Sequence, residues 1–298
     1  MVAGKNIIAA LGNFDGVHLG HQYLLKQTKE FAEAHGAAVG AILFEPHPRR
    51  FFRPDDPPFL LTLPEQRDAL LRAAGAKEIF ALTFDKALAS MTPEAFVTDV
   101  LKDRLGLAGV VTGADFRFGK GRAGDGEALR SLGETVGLKV KLAEVLSETP
   151  NTEKFGSSAV RAALQEGAVE RASAMLGRDW SVTGVVTEGR KVGRTIGFPT
   201  ANLTLGELIE PRKGVYVTRT TVGGATYGSV SNFGRRPTVG DSAPLLETYL
   251  FDFDGDLYGK EIDVSFAAFL RDEEKFDGLD ALKAQIADDC VKARAILG

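Results

Sequence analysis

The sequence predicts an α/β domain built on a parallel sheet, followed by a mainly β domain, an antiparallel barrel with a C-terminal helix. Two observations carry the prediction. Up to Val145, short apolar runs alternate with stretches of helical spacing, the pattern of a parallel sheet with helices on both faces. Beyond Trp180, short runs rich in Val, Thr, Tyr and Phe succeed one another across glycine turns, the pattern of an antiparallel barrel or sandwich. The change of character near Gly177–Trp180 divides the chain into residues 1–178 and 179–298.

Asn6–Leu11 is the first expected strand. Leu19–Ala34 places Leu24, Leu25, Phe31 and Ala32 on one helical face. Ala38–Phe44 reads as a second buried strand. Pro64–Ala74 opens with proline, whose missing N–H is harmless at a helix start, and carries Leu70 and Leu71. Lys77–Phe84, Gly109–Thr112 and Leu138–Val145 complete the strands, with helices at Pro93–Leu105 and Glu127–Leu132 between them. A short helix, Val169–Leu176, precedes the boundary. The second set of strands is Val182–Thr187, Val215–Val222, Ala225–Ser231, Leu246–Phe251 and Glu261–Phe269, and Leu279–Leu297 is the closing helix.

The 298 residues are enough for two ordinary domains, and 44% hydrophobic residues supply a real core. A net charge of −4 gives no overall basic field for nucleic acid, so any anion site has to be local. Cys290 is the only cysteine, which excludes an intrachain disulfide and suits a reducing cytoplasm. The N-terminal apolar run soon meets Asp15 and His18 and lacks the proportions of a signal peptide. No apolar stretch is long enough to cross a bilayer. The expectation is a cytoplasmic protein whose partners are small molecules, with neither nucleic acid nor membrane among them.

Leu11–Gln22 reads L-G-N-F-D-G-V-H-L-G-H-Q and holds two of the four histidines. A strand that breaks at Gly12 and restarts as a helix near Leu19 aims backbone N–H groups and a positive dipole end at one spot. His18 and His21 sit beside it and can donate to a nucleotide phosphate, stabilising charge in a transition state. Gly12, Asn13, Gly16 and Gly20 suit tight turns and close backbone approach to a ligand. A zinc site would need further ligands, and only His35, His47 and the distant Cys290 remain. His47 and Asp115 also follow strands, and crevices of such sheets open at the carboxyl ends of strands. Asp115, Phe116, Arg117 and Phe118 can grip a base, stack a ring and meet a phosphate. Gly119–Gly124 has the spacing of a dinucleotide fingerprint, but Asp115–Phe118 separates those glycines from the strand. Lys120 is followed by glycine, so it is not a Walker loop; a mobile loop bearing Lys120 and Arg122 is expected.

His18-Leu19-Gly20-His21 resembles the H-x-G-H signature of the nucleotidyltransferase superfamily, and the longer string G-N-F-D-G-V-H-L-G-H-Q resembles its flavin branch, the prokaryotic bifunctional riboflavin kinase/FAD synthetases. Phe44–Pro48 is similar to that family's F-x-P-H-P, and Gly113–Gly119 to its G-x-[ND]-F-R-F-G. The resemblance implies a Rossmann-like parallel sheet, ATP contacts from Gly12, Asn13, Phe14, Gly20 and Asp115, and flavin contacts from His47, Phe116, Arg117 and Phe118. The family's I-S-S-T-x-x-R, where hydroxyls and an arginine meet phosphates, reads here Phe155-Gly156-Ser157-Ser158-Ala159-Val160-Arg161. Ser157, Ser158 and Arg161 keep their places, while Gly156 replaces the first serine. Charge-assisted contacts from Arg161 outweigh one hydroxyl, so adenylyl transfer is expected to survive.

In the second half, Thr200 and Asn202 stand two residues apart behind Pro199, and such neutral oxygen ligands suit Mg²⁺ shared with substrate phosphates. Gly193-Arg194-Thr195-Ile196-Gly197-Phe198-Pro199-Thr200-Ala201-Asn202 resembles the P-T-A-N motif of riboflavin kinases. By that resemblance Thr200 and Asn202 hold Mg·ATP, with Gly193, Arg194, Gly197 and Pro199 about the phosphates. Glu247, in Leu246–Leu250, could by alternation simply lie on a solvated face; the riboflavin kinase resemblance makes it the base that accepts a ribityl proton. Asp252, Asp254 and Asp256 lack the glutamate that would complete a calcium loop and read as a turn with solvated carboxylates. Ser231–Thr238 resembles N-x-G-x-R-P-T, with Arg236 in the arginine position, and Arg271–Phe276 resembles a flavin-site flap, implying flavin contacts from Arg236, Arg271 and Phe276.

The resemblance spans nearly the whole chain and implies two activities: riboflavin is phosphorylated by ATP to FMN, and FMN is adenylylated to FAD with loss of pyrophosphate. Glu247, His18 and His21 are the implied catalytic residues. The alternative is a riboflavin kinase with an impaired or inactive adenylyltransferase domain, motivated by Gly156. A non-catalytic flavin binder is disfavoured by intact Glu247, Thr200 and Asn202, and a transferase for another alcohol by the second half of the chain.

Overall fold

The computed structural model describes residues 6–143, 156–188, 197–235 and 244–298. They form two compact units. One comprises the chain up to Pro57 with Thr62–Gly156; the other comprises Pro58–Leu61 with Ser157–Gly298.

In the first unit, β1 (Ile7–Leu11), β2 (Ala38–Glu45), β3 (Glu78–Thr83), β4 (Gly109–Gly113) and β5 (Lys139–Ala143) all pair in parallel, in the order β3-β2-β1-β4-β5. Between them run α1 (Leu19–Glu33), α2 (Pro48–Phe52), α3 (Pro64–Ala73), α4 (Lys86–Ala89), α5 (Pro93–Ala95) and α6 (Gly126–Thr135). Parallel strands require crossovers, and helical crossovers cover both faces of the sheet, which is why β1 is apolar throughout. Ile7, Ala9 and Leu11 enter one core layer with Phe96 and Val100. Ile8 and Ala10 enter the other with Leu24, Leu25 and Leu71. Strand order reverses at β1, with β2 on one side and β4 on the other, so the carboxyl ends of β1 and β4 open at a topological switch point.

Two expected elements differ. Pro93–Leu105 is helical as α5 for one turn and then π-helical over Phe96–Arg104, a register that buries Phe96, Val97, Val100 and Leu101. The Gly119–Gly124 segment is a closed turn rather than an open loop. Phe118 and Gly124 exchange backbone hydrogen bonds of 3.0 Å each way, and the Lys120 N–H donates to the Met91 carbonyl at 2.7 Å.

In the second unit, α7 (Ser157–Glu166) and α8 (Val169–Leu176) precede β6 (Trp180–Val185), β7 (Ala201–Thr204), β8 (Gly214–Val222), β9 (Ala225–Arg235), β10 (Pro244–Leu250), β11 (Glu261–Arg271) and α9 (Leu279–Leu297). The strands pair antiparallel in the order β6-β11-β8-β9-β10-β7. A bridge between Thr187, just past β6, and Asn202 on β7 brings the two edges together into a near-barrel. Trp180, Val182, Leu203, Tyr216, Phe233, Leu246, Val264 and Phe266 are buried on its inner face. Sequence spacing did not anticipate α7, β7 or a strap formed by Pro58–Leu61. The strap is built into this unit: Leu60 bridges Leu208, the Trp180 indole donates to the Leu61 carbonyl at 2.9 Å, and the Arg161 Nε donates to the Phe59 carbonyl at 2.7 Å.

Helix α9 covers Val215, Val217, Val230 and Ala268 on the outer face of the sheet through Ala293 and Leu297. It is tied down by a charge pair. Arg271 reaches Asp289 with Nη2 at 2.7 Å and Nε at 2.9 Å, and the Asp289 side chain is only 2% exposed. Removing the guanidinium leaves a buried carboxylate without its cation. Arg271→Met is expected to cost about 3 kcal/mol, read as a lower melting temperature or denaturant midpoint.

Candidate active site

Two groups of expected site residues are brought together, one in each unit. The first surrounds the turn from β1 to α1. Gly12 continues the β1–β2 ladder by donating to the Ile42 carbonyl at 3.1 Å. Then the backbone becomes strained: Phe14 (φ 55°), Gly16 (φ 82°) and Val17 (φ 42°) all lie in the left-handed region, which a bulky or β-branched residue avoids. Phe14 and Val17 hold it because their side chains are fully buried in the core layer. Asp15 and Thr62 brace it from the side, since the Thr62 N–H donates to Asp15 Oδ1 at 3.3 Å and the Gly16 N–H to the Thr62 hydroxyl at 3.1 Å. Asn13 is left exposed at the tip, and Gly20 lies in the first turn of α1.

His18 caps α1: its Nδ1 accepts from the His21 N–H at 3.3 Å, so neutral His18 carries its proton on Nε2. The His18 and His21 rings stack with centroids 3.7 Å apart, and Phe14 closes on His21 at 5.1 Å. His21 Nδ1 is buried with no hydrogen-bond partner, an uncommon condition for a buried ring nitrogen. Burial first, and the neighbouring His18 second, hold the His21 pKa well below its ordinary 6.5. The His21 ring is therefore held toward its neutral form beside a helix N-terminus.

His47 follows β2 and caps α2, its Nδ1 accepting from the Arg49 N–H at 3.1 Å. Asp115 follows β4 and is exposed. Strands β2, β1 and β4 are consecutive in the sheet, so the His47, His18–His21 and Asp115 segments all leave the same edge. Phe116 is partly exposed and stacks on Phe118 at 5.8 Å. Phe118 itself, expected against flavin, is 6% exposed and sits in the core layer with Phe96 and Leu129. Arg117 is exposed, 4.0 Å from Asp125.

The second group lies on the outer face of the near-barrel and is a product of strand register. Glu247 on β10 is directly opposite Asn202 on β7 and Asn232 on β9; Asn232 is opposite Val215 on β8, and Val215 is opposite Arg271 on β11. Directly opposed residues share a face, so Asn202, Glu247, Asn232, Val215 and Arg271 form one transverse row across five strands. Arg271 belongs to it because β11 breaks register between Phe266 and Ala268 and again between Phe269 and Arg271. Asn202 is 4% exposed. Thr200 and the exposed Pro199 stand just before β7, and Phe198 packs edge-on against Tyr249 of β10 at 5.3 Å, fastening this approach to the Glu247 strand. Asn232, which sequence reasoning passed over, donates to Glu273 at 3.2 Å, and Arg271 lies over the Phe276 ring at 5.8 Å. Two signals were available for Asn232: it heads the N-x-G-x-R-P-T resemblance, and it alternates with the buried Ser231 and Phe233. Ser157 and Ser158 open α7, and Arg161 lies one turn on, over the Phe59 ring at 5.5 Å. Gly197 lies in a turn with φ 87°, while Gly193, Arg194 and Arg236 are outside the described residues. Asp252 is paired with Arg294 through both oxygens, at 2.7 and 2.8 Å.

A family model for FAD synthetase matches residues 2–159, and one for riboflavin kinase matches residues 176–297. The bifunctional riboflavin kinase/FMN adenylyltransferase of Escherichia coli K12 is 37% identical over 99% of this chain and 94% of its own length. The chain belongs to this bifunctional family. The Bacillus subtilis enzyme of the same name is 35% identical over 95% of this chain and 90% of its own length. A crystal structure described as a macrolide-efflux protein from Streptococcus pneumoniae is also similar, with a TM-score of 0.89 and 28% identity over 98% of this chain and 95% of that one. Among the described residues no helix is long and apolar enough to cross a membrane. Nothing in these matches favours an impaired adenylyltransferase.

The histidine pair sets a pH expectation. His21 binds its proton more weakly folded than unfolded, so the unfolded chain takes up more protons and stability falls as pH drops below 6.5. NMR of the His21 ring should show it neutral at that pH. His21→Gln should flatten the acid-side loss of melting temperature, and an unchanged slope would contradict the assignment.

Proposed function

We propose that the two activities of this family are carried by two separate residue sets: adenylyl transfer by the His18–His21 turn within residues 1–178, and phosphoryl transfer by the Glu247 row within 179–298. The chain phosphorylates riboflavin to FMN and converts FMN to FAD. In the first step the ribityl 5′-hydroxyl attacks the γ-phosphorus of ATP, the bond to the bridging oxygen breaks, and ADP leaves. Glu247 takes the hydroxyl proton, and Asn202 and Asn232 flank it on either side. The donor set beside Glu247 fits a magnesium ion: the Thr200 hydroxyl and Asn202 amide are neutral oxygens of the kind that share the ion with phosphates. Thr200 and Asn202 would hold it, and the bound ion would offset phosphate charge.

In the second step a phosphate oxygen of FMN attacks the α-phosphorus of ATP and pyrophosphate leaves. His18 and His21 donate to the developing charge, helped by the first N–H groups of α1. A His21 ring held toward its neutral form limits repulsion within the stacked pair. Gly12, Asn13, Phe14, Gly20 and Asp115 belong to the ATP side of this site, and His47, Phe116 and Arg117 to the flavin side. Ser157, Ser158 and Arg161 are proposed phosphate contacts. Arg271 and Phe276 are proposed to border flavin in the kinase site; Arg271 does so with its guanidinium already paired to Asp289. Neither step needs a covalent enzyme intermediate, so positioning and electrostatics carry the rate. We place both reactions in the cytoplasm, in keeping with a chain whose one cysteine is unpaired.

The observation that carries the kinase assignment is the register that faces Glu247 with Asn202. Glu247→Gln is expected to lower riboflavin phosphorylation by at least about a hundredfold while sparing FMN adenylylation. His21→Ala should do the reverse. Chromatography of products from riboflavin plus ATP, and separately from FMN plus ATP, reads both; equal loss of the two activities in either variant would contradict separate sites.

A further inference from the structure

Behind the Glu247 row, inside the near-barrel, lies a feature that neither activity accounts for. Thr218, Thr220, Ser229, Ser231 and Thr248 are all fully buried. Their hydroxyls form one unbroken chain: Thr220 to Ser229, Ser229 to Thr218, Thr218 to Ser231 and Ser231 to Thr248, every separation 2.8 Å. Burying a hydroxyl among apolar neighbours is unfavourable unless it is bonded, so a run of five in one interior demands a reason.

The reason lies in register. The alternation of β10 turns Leu246, Thr248 and Leu250 inward and Glu247 outward, which forbids a slip by one residue. It does not forbid a slip by two, which keeps every side chain on its face. Strands β8 and β9 have a second safeguard, a two-residue turn at Gly223–Gly224 with φ 57° and 84°, the geometry of a tight hairpin. Strand β10 is joined to β9 through 236–243. The one link of the hydroxyl chain that crosses from β9 to β10 is Ser231–Thr248. Slipping β10 by two in one direction sets Thr248 opposite Phe233, without a partner. Slipping it in the other sets Thr248 opposite Ser229, whose oxygen is already shared by Thr218 and Thr220. Either slip moves Glu247 opposite Gly234 or Val230 and away from Asn232.

We propose that the Ser231–Thr248 bond is the register key of β10, and that Thr248 is a positioning residue for Glu247 in riboflavin phosphorylation. This rests on reading Glu247 as the base, and the experiment separates the two. In the full-length enzyme, Thr248→Val should lower kcat for riboflavin phosphorylation about tenfold, with KM for ATP changed less than about twofold and FMN adenylylation unaltered. Thr248→Ser, which keeps the hydroxyl, should restore kcat. Thr248→Val with Ser231→Ala removes both ends of the bond; it should recover melting temperature without recovering kcat. A direct reading of register uses Asn232→Cys with Glu247→Cys in a Cys290→Ser background, probed with dibromobimane, which fluoresces on bridging two close thiols. Adding Thr248→Val should weaken that fluorescence. Unchanged bridging, or full kcat in the Thr248→Val, Ser231→Ala enzyme, would overturn the proposal. An active Glu247→Gln enzyme would overturn the base assignment alone, and the bridging result would still decide the register.

Discussion

Glu247 faces Asn202 and Asn232 because three antiparallel strands meet in one register, and the proposed kinase chemistry depends on that register to assemble them. No two of the three are neighbours in sequence. Parity directs Glu247 outward only because Leu246 and Leu250 are better buried than exposed. The same parity brings Val215 and Val217 out under α9, so one alternation both builds the row and supplies the seat for the helix that covers part of it. Two bulges in β11 then carry Arg271 into the row and within reach of Asp289 on that helix.

The first unit solves a different electrostatic problem. As the proposed adenylyl-transfer site, this turn must attract anions while keeping its own two rings from repelling each other. The stacked His18 and His21 rings stand at the start of α1, with His21 Nδ1 buried and its pKa held below the ordinary value. Two imidazolium rings at 3.7 Å would repel strongly, and burial of His21 works against that by favouring its neutral form. The strained backbone at Phe14 and Val17 is held by core packing on one side and by the Asp15–Thr62 brace on the other. Rigid elements therefore hold the proposed donors in place, which is the condition for electrostatic preorganisation.

Long periodic elements were legible in the sequence because burial on a sheet or helix face imposes a period that survives in the residue types. The described strands other than β7, with α1, α3 and α9, fall within a few residues of their expected spans. Elements whose burial is not periodic escaped. Strand β7 is four residues long and follows a glycine- and proline-rich run, so its pattern is loop-like. The Pro58–Leu61 strap is recognisable only from what it touches, Trp180 and Arg161, more than a hundred residues away. Phe118 could not be told from a ring-stacking residue until Phe96 and Leu129 were seen around it.

The sequence by itself determined the two fold classes, the family, and the residue types proposed for the two sites, because those follow from local period and from residue types at fixed spacing. Tertiary structure alone decided which groups meet: Asn232 beside Glu247, Arg271 on Asp289, His21 stacked on His18 with Phe14 against it. The reason is physical. Alternation along a strand specifies a face, but the position of one strand against another is set by pair contacts between distant residues, and no local pattern records them.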